Sequence, residues 1–496
     1  MAAVRRRRAQ RRRYGVPTVA VLLAGAAGLF WLTSHRSTPA DTAPPAASPP
    51  PVSSAAPAGS PAATTAQPPE PVRSSGNELP RDAPIPDPAT LRAHLAAALG
   101  VLAGDDTALV VADPATGRVL LDDGGNRRMP PASTLKIATA VAALAALDPQ
   151  TRFATSVVLH GDRVVLVGGG DPTLAAPAPA AGGSPSGPPM PSQRLGPSLR
   201  PAQLADLAGR TASELRALGR QRVSLGYDAS LFVGPATAAG WQSSYIAEGD
   251  VAPVSALEVN EGRVDPARDA RSPAPAASAA ASFARLLAAA GIVVEGAPVV
   301  TAATSADRVL AVVRSPTLAD LVREMLTVSD NDLAEAIARQ VAIARGLPAS
   351  FAGATQAIRD TLNDLGIDTS GLTIADASGL STLDRLQPRM LTALLRLVLT
   401  NDRFSAVREG LPVAGLTGTL ASRFTAPAAA PGVGVVHAKT GTLATVVTLA
   451  GYTTDYDGRV LAFAVLADAV PRSQIRAAES AVDALVGALV TCGCAR

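Results

Sequence analysis

Residues 36 to 79 are dominated by Pro, Ala, Ser and Thr. Such a stretch has too few large apolar side chains to build a core, so it reads as an extended spacer. It divides the chain. Seven arginines stand among the first thirteen residues, and an apolar run follows over residues 16–32. A charged leader before a run of that length predicts an N-terminal anchor, with the rest of the chain outside the membrane. A cleaved signal segment is the other reading, and either one exports the body. About 415 residues remain after the spacer, more than one ordinary core accommodates.

The net charge of +3 belongs to the leader. Without its seven arginines, 37 basic residues face 41 acidic ones, and aromatic residues make up only 3% of the chain. An acidic, aromatic-poor body argues against a nucleic-acid partner. The four histidines, His35, His94, His160 and His437, show no ligand spacing. No metal, cofactor or Ser-His-Asp triad is therefore expected. Cys492 and Cys494 lie at the extreme C-terminus, either paired in a short loop or free.

Helices are predicted over residues 91–102, 133–147, 203–218, 317–325, 332–344 and 473–490. Strands are predicted over 107–112, 118–121, 156–167, 435–439, 444–452 and 460–466. Residues 175–199 read as an exposed Pro/Gly/Ala/Ser loop, and strand-like, turn-rich sequence continues to about 310. Gly168-Gly169-Gly170 lacks the lysine and spacing of a phosphate loop and reads as a turn. Late strands flanked by helices from both ends of the body predict an α/β (α+β) fold with an antiparallel sheet under helical cover.

Lysine is the rare residue. Of 44 lysines and arginines only two are lysines, Lys136 and Lys439. A guanidinium stays charged, whereas a desolvated amine can give up its proton and act as a base. Ser133 stands three residues before Lys136, on the same face of a predicted helix start. The amine can take the hydroxyl proton as Ser133 attacks a carbonyl, and the Ser133 amide can hold the oxyanion. Ser329-Asp330-Asn331 lies between two predicted helices. Its serine can relay a proton, its asparagine can bind a substrate amide through donor and acceptor, and its aspartate is equally a helix cap. Lys439-Thr440-Gly441-Thr442 falls on a predicted edge strand. There Lys439 and Thr440 can bind a carboxylate, Gly441 allows close approach, and the Thr442 amide can supply a second oxyanion donor.

S-x-x-K, S-x-N and K-T-G in this order form a joint signal. With Gly168-Gly169-Gly170-Asp171-Pro172, Asp376-Ala377-Ser378-Gly379-Leu380-Ser381 and Leu411-Pro412-Val413-Ala414-Gly415, the chain resembles the penicillin-recognising serine enzymes. Within them it is most similar to the D-alanyl-D-alanine carboxypeptidase/endopeptidase family typified by penicillin-binding protein 4 (peptidase family S13). The resemblance runs from about residue 85 to about 490. It implies a β-lactamase/transpeptidase-like domain in two parts, 80–155 and 311–496. A mostly β accessory insertion, 156–310, would lie between the first and second motifs, after the leader (1–35) and spacer (36–79).

The resemblance implies a D-Ala-D-Ala carboxypeptidase acting on peptidoglycan stem peptides through a Ser133 acyl-enzyme, with endopeptidase action on cross-links as an extension. Lys136 would be the base, Ser329 the proton shuttle and Asn331 a substrate ligand. Lys439, Thr440, Gly441 and Thr442 would form the carboxylate side of the site. Asp376 and Ser378 read as turn residues. β-Lactam antibiotics would be covalent inhibitors. The alternatives are a non-catalytic wall-binding or scaffolding protein, and a β-lactam or ester hydrolase on the same frame. The expected location is the cell membrane with the body outside, or the wall space after cleavage.

Overall fold

The computed structural model describes residue 79 and residues 82–102, 106–177, 199–265 and 268–494. The basic leader, the apolar run, the spacer up to residue 78 and most of the 175–199 loop lie outside the described residues. In chain order the elements are α1 (Pro88–Leu102), β1 (Thr107–Ala112), β2 (Val119–Asp123), α2 (Leu135–Ala146), β3 (Ala154–His160), β4 (Arg163–Val167), α3 (Leu204–Ala217) and β5 (Arg222–Asp228). Then come α4 (Tyr245–Glu248), α5 (Pro275–Ala289), β6 (Val293–Val300), β7 (Arg308–Arg314), α6 (Leu318–Thr327), α7 (Asn331–Ala344) and α8 (Phe351–Asp364). The last are α9 (Pro388–Thr400), α10 (Ser405–Gly410), β8 (His437–Leu443), β9 (Val446–Thr454), β10 (Val460–Ala467) and α11 (Ile475–Val490).

The first sheet has the order β2-β1-β10-β9-β8 and is antiparallel throughout. Early strands join late ones here, with Thr107 opposite Ala467. Successive side chains on a strand point to opposite faces, and both faces of this sheet are apolar. Ala108, Ala462, Ala464 and Leu466 face a core shared with α2, α6, α7, α8 and α9. Leu109, Val111, Leu461, Phe463 and Val465 face a second core shared with α1 and α11. The result is a helix–sheet–helix sandwich, in keeping with the expected α/β class.

The second sheet has the order β6-β5-β4-β3-β7 and is mixed. β4–β5 and β5–β6 are parallel, while β3 pairs antiparallel with both β4 and β7. Parallel neighbours need a crossover, and α3 and α5 lie in those connections. They pack Leu204, Leu207, Phe283 and Leu287 against Val157, Leu166 and Leu225. The sequence reading has strand and turn where α5 lies. Its alanine-rich run after a proline in the first turn is a helix start that alternating-apolar reasoning passes over.

The expected transmembrane anchor is corrected. Among the described residues no helix is long and apolar enough to cross a membrane. The longest described α-helix, α11, has 16 residues. At 1.5 Å per residue that is about 24 Å, short of the ~30 Å hydrocarbon core. The 16–32 segment on which the anchor was placed lies outside the described residues. A transmembrane helix, a membrane partner and a membrane location are therefore not retained. Cys492 and Cys494 are bonded to each other.

Candidate active site

Ser133 lies in a 3₁₀ turn (Ala132–Thr134) that runs straight into α2. Ala132 has φ +45°, a left-handed conformation that a side chain disfavours. The turn is pinned from below, because the Thr134 and Thr448 hydroxyls both donate to the Pro131 carbonyl, at 2.7 and 2.9 Å. One helical turn on, Lys136 is completely buried. Its Nζ donates to Ser133 Oγ at 3.0 Å, Asn331 Oδ1 at 2.6 Å and the Ser378 carbonyl at 2.8 Å.

Ser329 stops α6. Its φ of +63° is the left-handed residue that commonly ends a helix, and it turns the chain toward α7. Asp330 then caps α7 by accepting the Leu333 amide at 2.8 Å. Asn331, the first residue of α7, faces Lys136 with its Oδ1 and donates through Nδ2 to the Asp250 carbonyl at 2.8 Å. Both ends of its carboxamide thus have protein partners here.

β8 forms the edge of the first sheet and pairs only with β9 among the named strands. Lys439 is buried and donates to Ser329 Oγ at 2.8 Å and the Thr440 carbonyl at 2.9 Å. Thr440 shares a 2.7 Å hydrogen bond with Thr419, and Thr442 donates to Glu479 at 2.9 Å. Gly441 is glycine for a local reason: a Cβ would stand 2.2 Å from Thr448 Oγ1 and 3.0 Å from the Pro131 carbonyl. The turn at Pro131 and Ala132 and strand β9 occupy that space. All eight residues selected from sequence therefore meet around one cleft or directly beneath it.

The cleft measures about 720 Å³. Ser133, Ser329, Asn331 and Thr442 line it, with Glu248 and Asp250 from the segment around α4, Arg472 just before α11 and Arg476 in its first turn. Burial pushes the Lys136 pKa down to about 8, against the charges of Asp376, Asp330, Glu335 and Asp332, which favour the proton. Burial also lowers Lys439 well below the usual lysine range, and the nearby Lys136 charge adds to this. Each amine is thus poised to exist neutral. Glu261, Asp330 and Asp332 bring carboxylate oxygens within 4.8 Å of one another. Arg271 already lies 3.0 Å from Asp332, and Arg263 and Arg271 pair with Glu261, so guanidinium supplies the counter-charge.

Sequence reasoning missed Trp241, Asp250, Glu335 and Thr419. Glu335 had a signal, since Glu335 and Arg339 form an i,i+4 pair within an otherwise apolar part of α7. Trp241 and Asp250 had none, because they come from an irregular segment.

The model of the D-Ala-D-Ala carboxypeptidase 3 (S13) family matches residues 89–274 and 267–489. The chain belongs to this family. It is a serine-type D,D-carboxypeptidase acting on peptidoglycan. A carboxypeptidase of Mycobacterium tuberculosis is 37% identical over 416 residues, covering 81% of this chain and 85% of that protein. Carboxypeptidase DacB of Mycolicibacterium smegmatis is 34% identical over 506 residues, covering 100% of both. The crystal structure of penicillin binding protein 4 from Haemophilus influenzae shares the fold, with a TM-score of 0.66 at 22% identity over 80% of this chain and 99% of that one.

Proposed function

We propose that Ser133 is the nucleophile of this D,D-carboxypeptidase and Lys136 its base. One observation carries the reading: Lys136 Nζ stands 3.0 Å from Ser133 Oγ while Asn331 Oδ1 and the Ser378 carbonyl accept its other hydrogens. A neutral amine keeps two N–H bonds and one lone pair. With the N–H bonds held by those two acceptors, the lone pair faces Ser133.

Ser133 Oγ attacks the carbonyl carbon between the last two D-alanines of a stem peptide, and its proton passes to Lys136 Nζ. The amides of Ser133 and Thr442 hold the oxyanion. As the tetrahedral adduct collapses the C–N bond breaks, and Ser329 relays a proton from Lys136 to the departing D-alanine amine. Water then hydrolyses the ester and frees Ser133. Lys439 and Thr440 hold the terminal carboxylate, which supplies a counter-charge to buried Lys439. Asn331 fixes Lys136 and exchanges its bond to Asp250 for the substrate amide. A β-lactam carboxylate uses the same Lys439 and Thr440. Attack on a D-alanyl bond within a cross-link is the endopeptidase form of this chemistry.

Residues 80–155 and 311–496 form the catalytic part, and 156–310 an accessory domain. The segregation of strands supports this: those of the second sheet run from Ala154 to Arg314, and the first sheet takes strands from both sides.

The test is intact mass of the full chain after brief exposure to benzylpenicillin. One adduct on the Ser133 peptide is expected, with D-alanine released from a stem pentapeptide in a parallel assay. Ser133→Ala is expected to lose both while melting at an unchanged temperature. An adduct persisting in that variant would show the nucleophile to be another residue.

A further inference from the structure

The turn over residues 376–381 spends its backbone on two buried carboxylates. Asp376 accepts the amides of Gly379 (2.9 Å) and Ser381 (2.7 Å), the Trp241 indole N–H (2.7 Å) and the Ser378 hydroxyl (3.3 Å). Glu335 of α7 accepts the amides of Ala377 (3.0 Å) and Ser378 (2.9 Å). With its N–H groups held on that side, the turn presents two carbonyls to α2. Ser378 O takes Lys136 Nζ and Ala377 O takes the Thr139 hydroxyl, at 2.8 and 2.7 Å. Lys136 and Thr139 are one helical turn apart and share a face. The turn also abuts the nucleophile: Gly379 has φ +83°, and a Cβ there would stand 1.9 Å from the Ala132 carbonyl.

We propose that Asp376 is the positioning residue for the Lys136 base. It holds the Ser378 carbonyl that fixes one Lys136 N–H, and its charge favours the proton that Lys136 takes from Ser133. Trp241 couples this carboxylate to the segment that also carries Asp250, and is itself held edge-on against Phe351 with ring centroids 5.5 Å apart. The proposal rests on Lys136 being the base.

The charged groups that face Lys136 are Asp376 on the turn, Asp330, Asp332 and Glu335 at the start of α7, and Lys439 on β8. Asp376 leads the opposing charges that act on Lys136. Asp384, beside Asp376, is raised well above the usual carboxylate range by burial and by that neighbour. Loss of the Asp376 charge therefore makes Lys136 easier to deprotonate, while loss of the turn geometry aims it less well.

The experiment measures the second-order rate of acylation by benzylpenicillin against pH, using the full chain, Asp376→Asn and Trp241→Phe. In Asp376→Asn the plateau is expected to fall about tenfold. Its acid limb is expected to move to lower pH by about one unit. Trp241→Phe keeps the carboxylate but removes a donor that neutralises part of its charge, so its limb moves upward, by roughly a few tenths of a unit. A purely structural Asp376 would lower the plateau and leave the limb where it was, and that result overturns the proposal. If Asp376→Asn does not fold, Trp241→Phe decides: an upward limb supports the coupling and an unmoved limb refutes it. If the Ser133→Ala adduct test fails, the base assignment falls first. If it succeeds and the limbs stay still, only the role of Asp376 falls.

Discussion

Replacing Gly441 with alanine puts a methyl group 2.2 Å from Thr448 Oγ1, 3.0 Å from the Pro131 carbonyl and 3.1 Å from Ala132 Cβ. The first distance is far inside contact, and the neighbours are buried backbone and short side chains. Thr448 can rotate away only by giving up its 2.9 Å bond to Pro131, a loss of about 1 kcal/mol. The Pro131 carbonyl would keep the Thr134 hydroxyl at 2.7 Å, so it is not orphaned. Overpacking a tight site costs about 1–3 kcal/mol more. Gly441→Ala should therefore lose roughly 2–4 kcal/mol. If the nucleophile turn yields instead, a displacement of about 1 Å at Ser133 costs roughly 100-fold in acylation. Urea unfolding measures the first quantity and stopped-flow acylation by a chromogenic cephalosporin the second. Because the shortest contact is with Oγ1, adding Thr448→Ala should recover at least about tenfold of the lost acylation. A Gly441→Ala protein that acylates at the original rate would refute the reasoning. So would a double variant no better than the single one.

Other expectations follow from charge and burial. Lys136 must be neutral to accept the Ser133 proton and burial brings its pKa to about 8, so acylation should rise as pH approaches 8 and level off above it. A rate flat from pH 6 to pH 9 would exclude this base. Asn331→Asp sets a carboxylate where Oδ1 now stands, 2.6 Å from Nζ. It should hold the proton on Lys136, move the acid limb up by about one unit or more, and slow acylation at pH 7 at least about tenfold. At the end of the first sheet, Arg459, just before β10, is buried and grips Asp113, just after β1, through Nε at 3.2 Å and Nη2 at 2.6 Å. Asp113→Ala breaks this buried pair and should cost about 3–5 kcal/mol in urea unfolding. A loss below 1 kcal/mol would mean that the arginine finds other acceptors.

Ser133 with Lys136, and Lys439 through Thr442, could be read directly because each group lies within four residues of one helix start or one strand. Spacing puts Ser133 and Lys136 on one helix face, and a single strand lines Lys439 to Thr442 along one sheet edge. The S-D-N turn was half legible. The capping role of Asp330 follows from residue type, but the left-handed backbone at Ser329 does not. Elements with a clear period were also recoverable: the last three strands were found with their ends shifted by a few residues, and β1 with its bounds as observed. The helix α5 was not, since an alanine-rich run has little contrast between its faces.

The contacts that Lys136 makes are not recorded in the local order of the chain. Asn331 is 195 positions away from it and Ser378 is 242, while Trp241 reaches Asp376 across 135 positions. Nothing local records those meetings, and an aspartate in a glycine-containing turn looks the same whether or not a lysine lies behind it. Local order along the chain was enough to nominate candidate reacting groups and to point to the family. The pKa of the lysine and the direction of its lone pair depend on burial and on hydrogen-bond partners. Those exist only once α2, α7, the 376–381 turn and β8 have packed around a single amine.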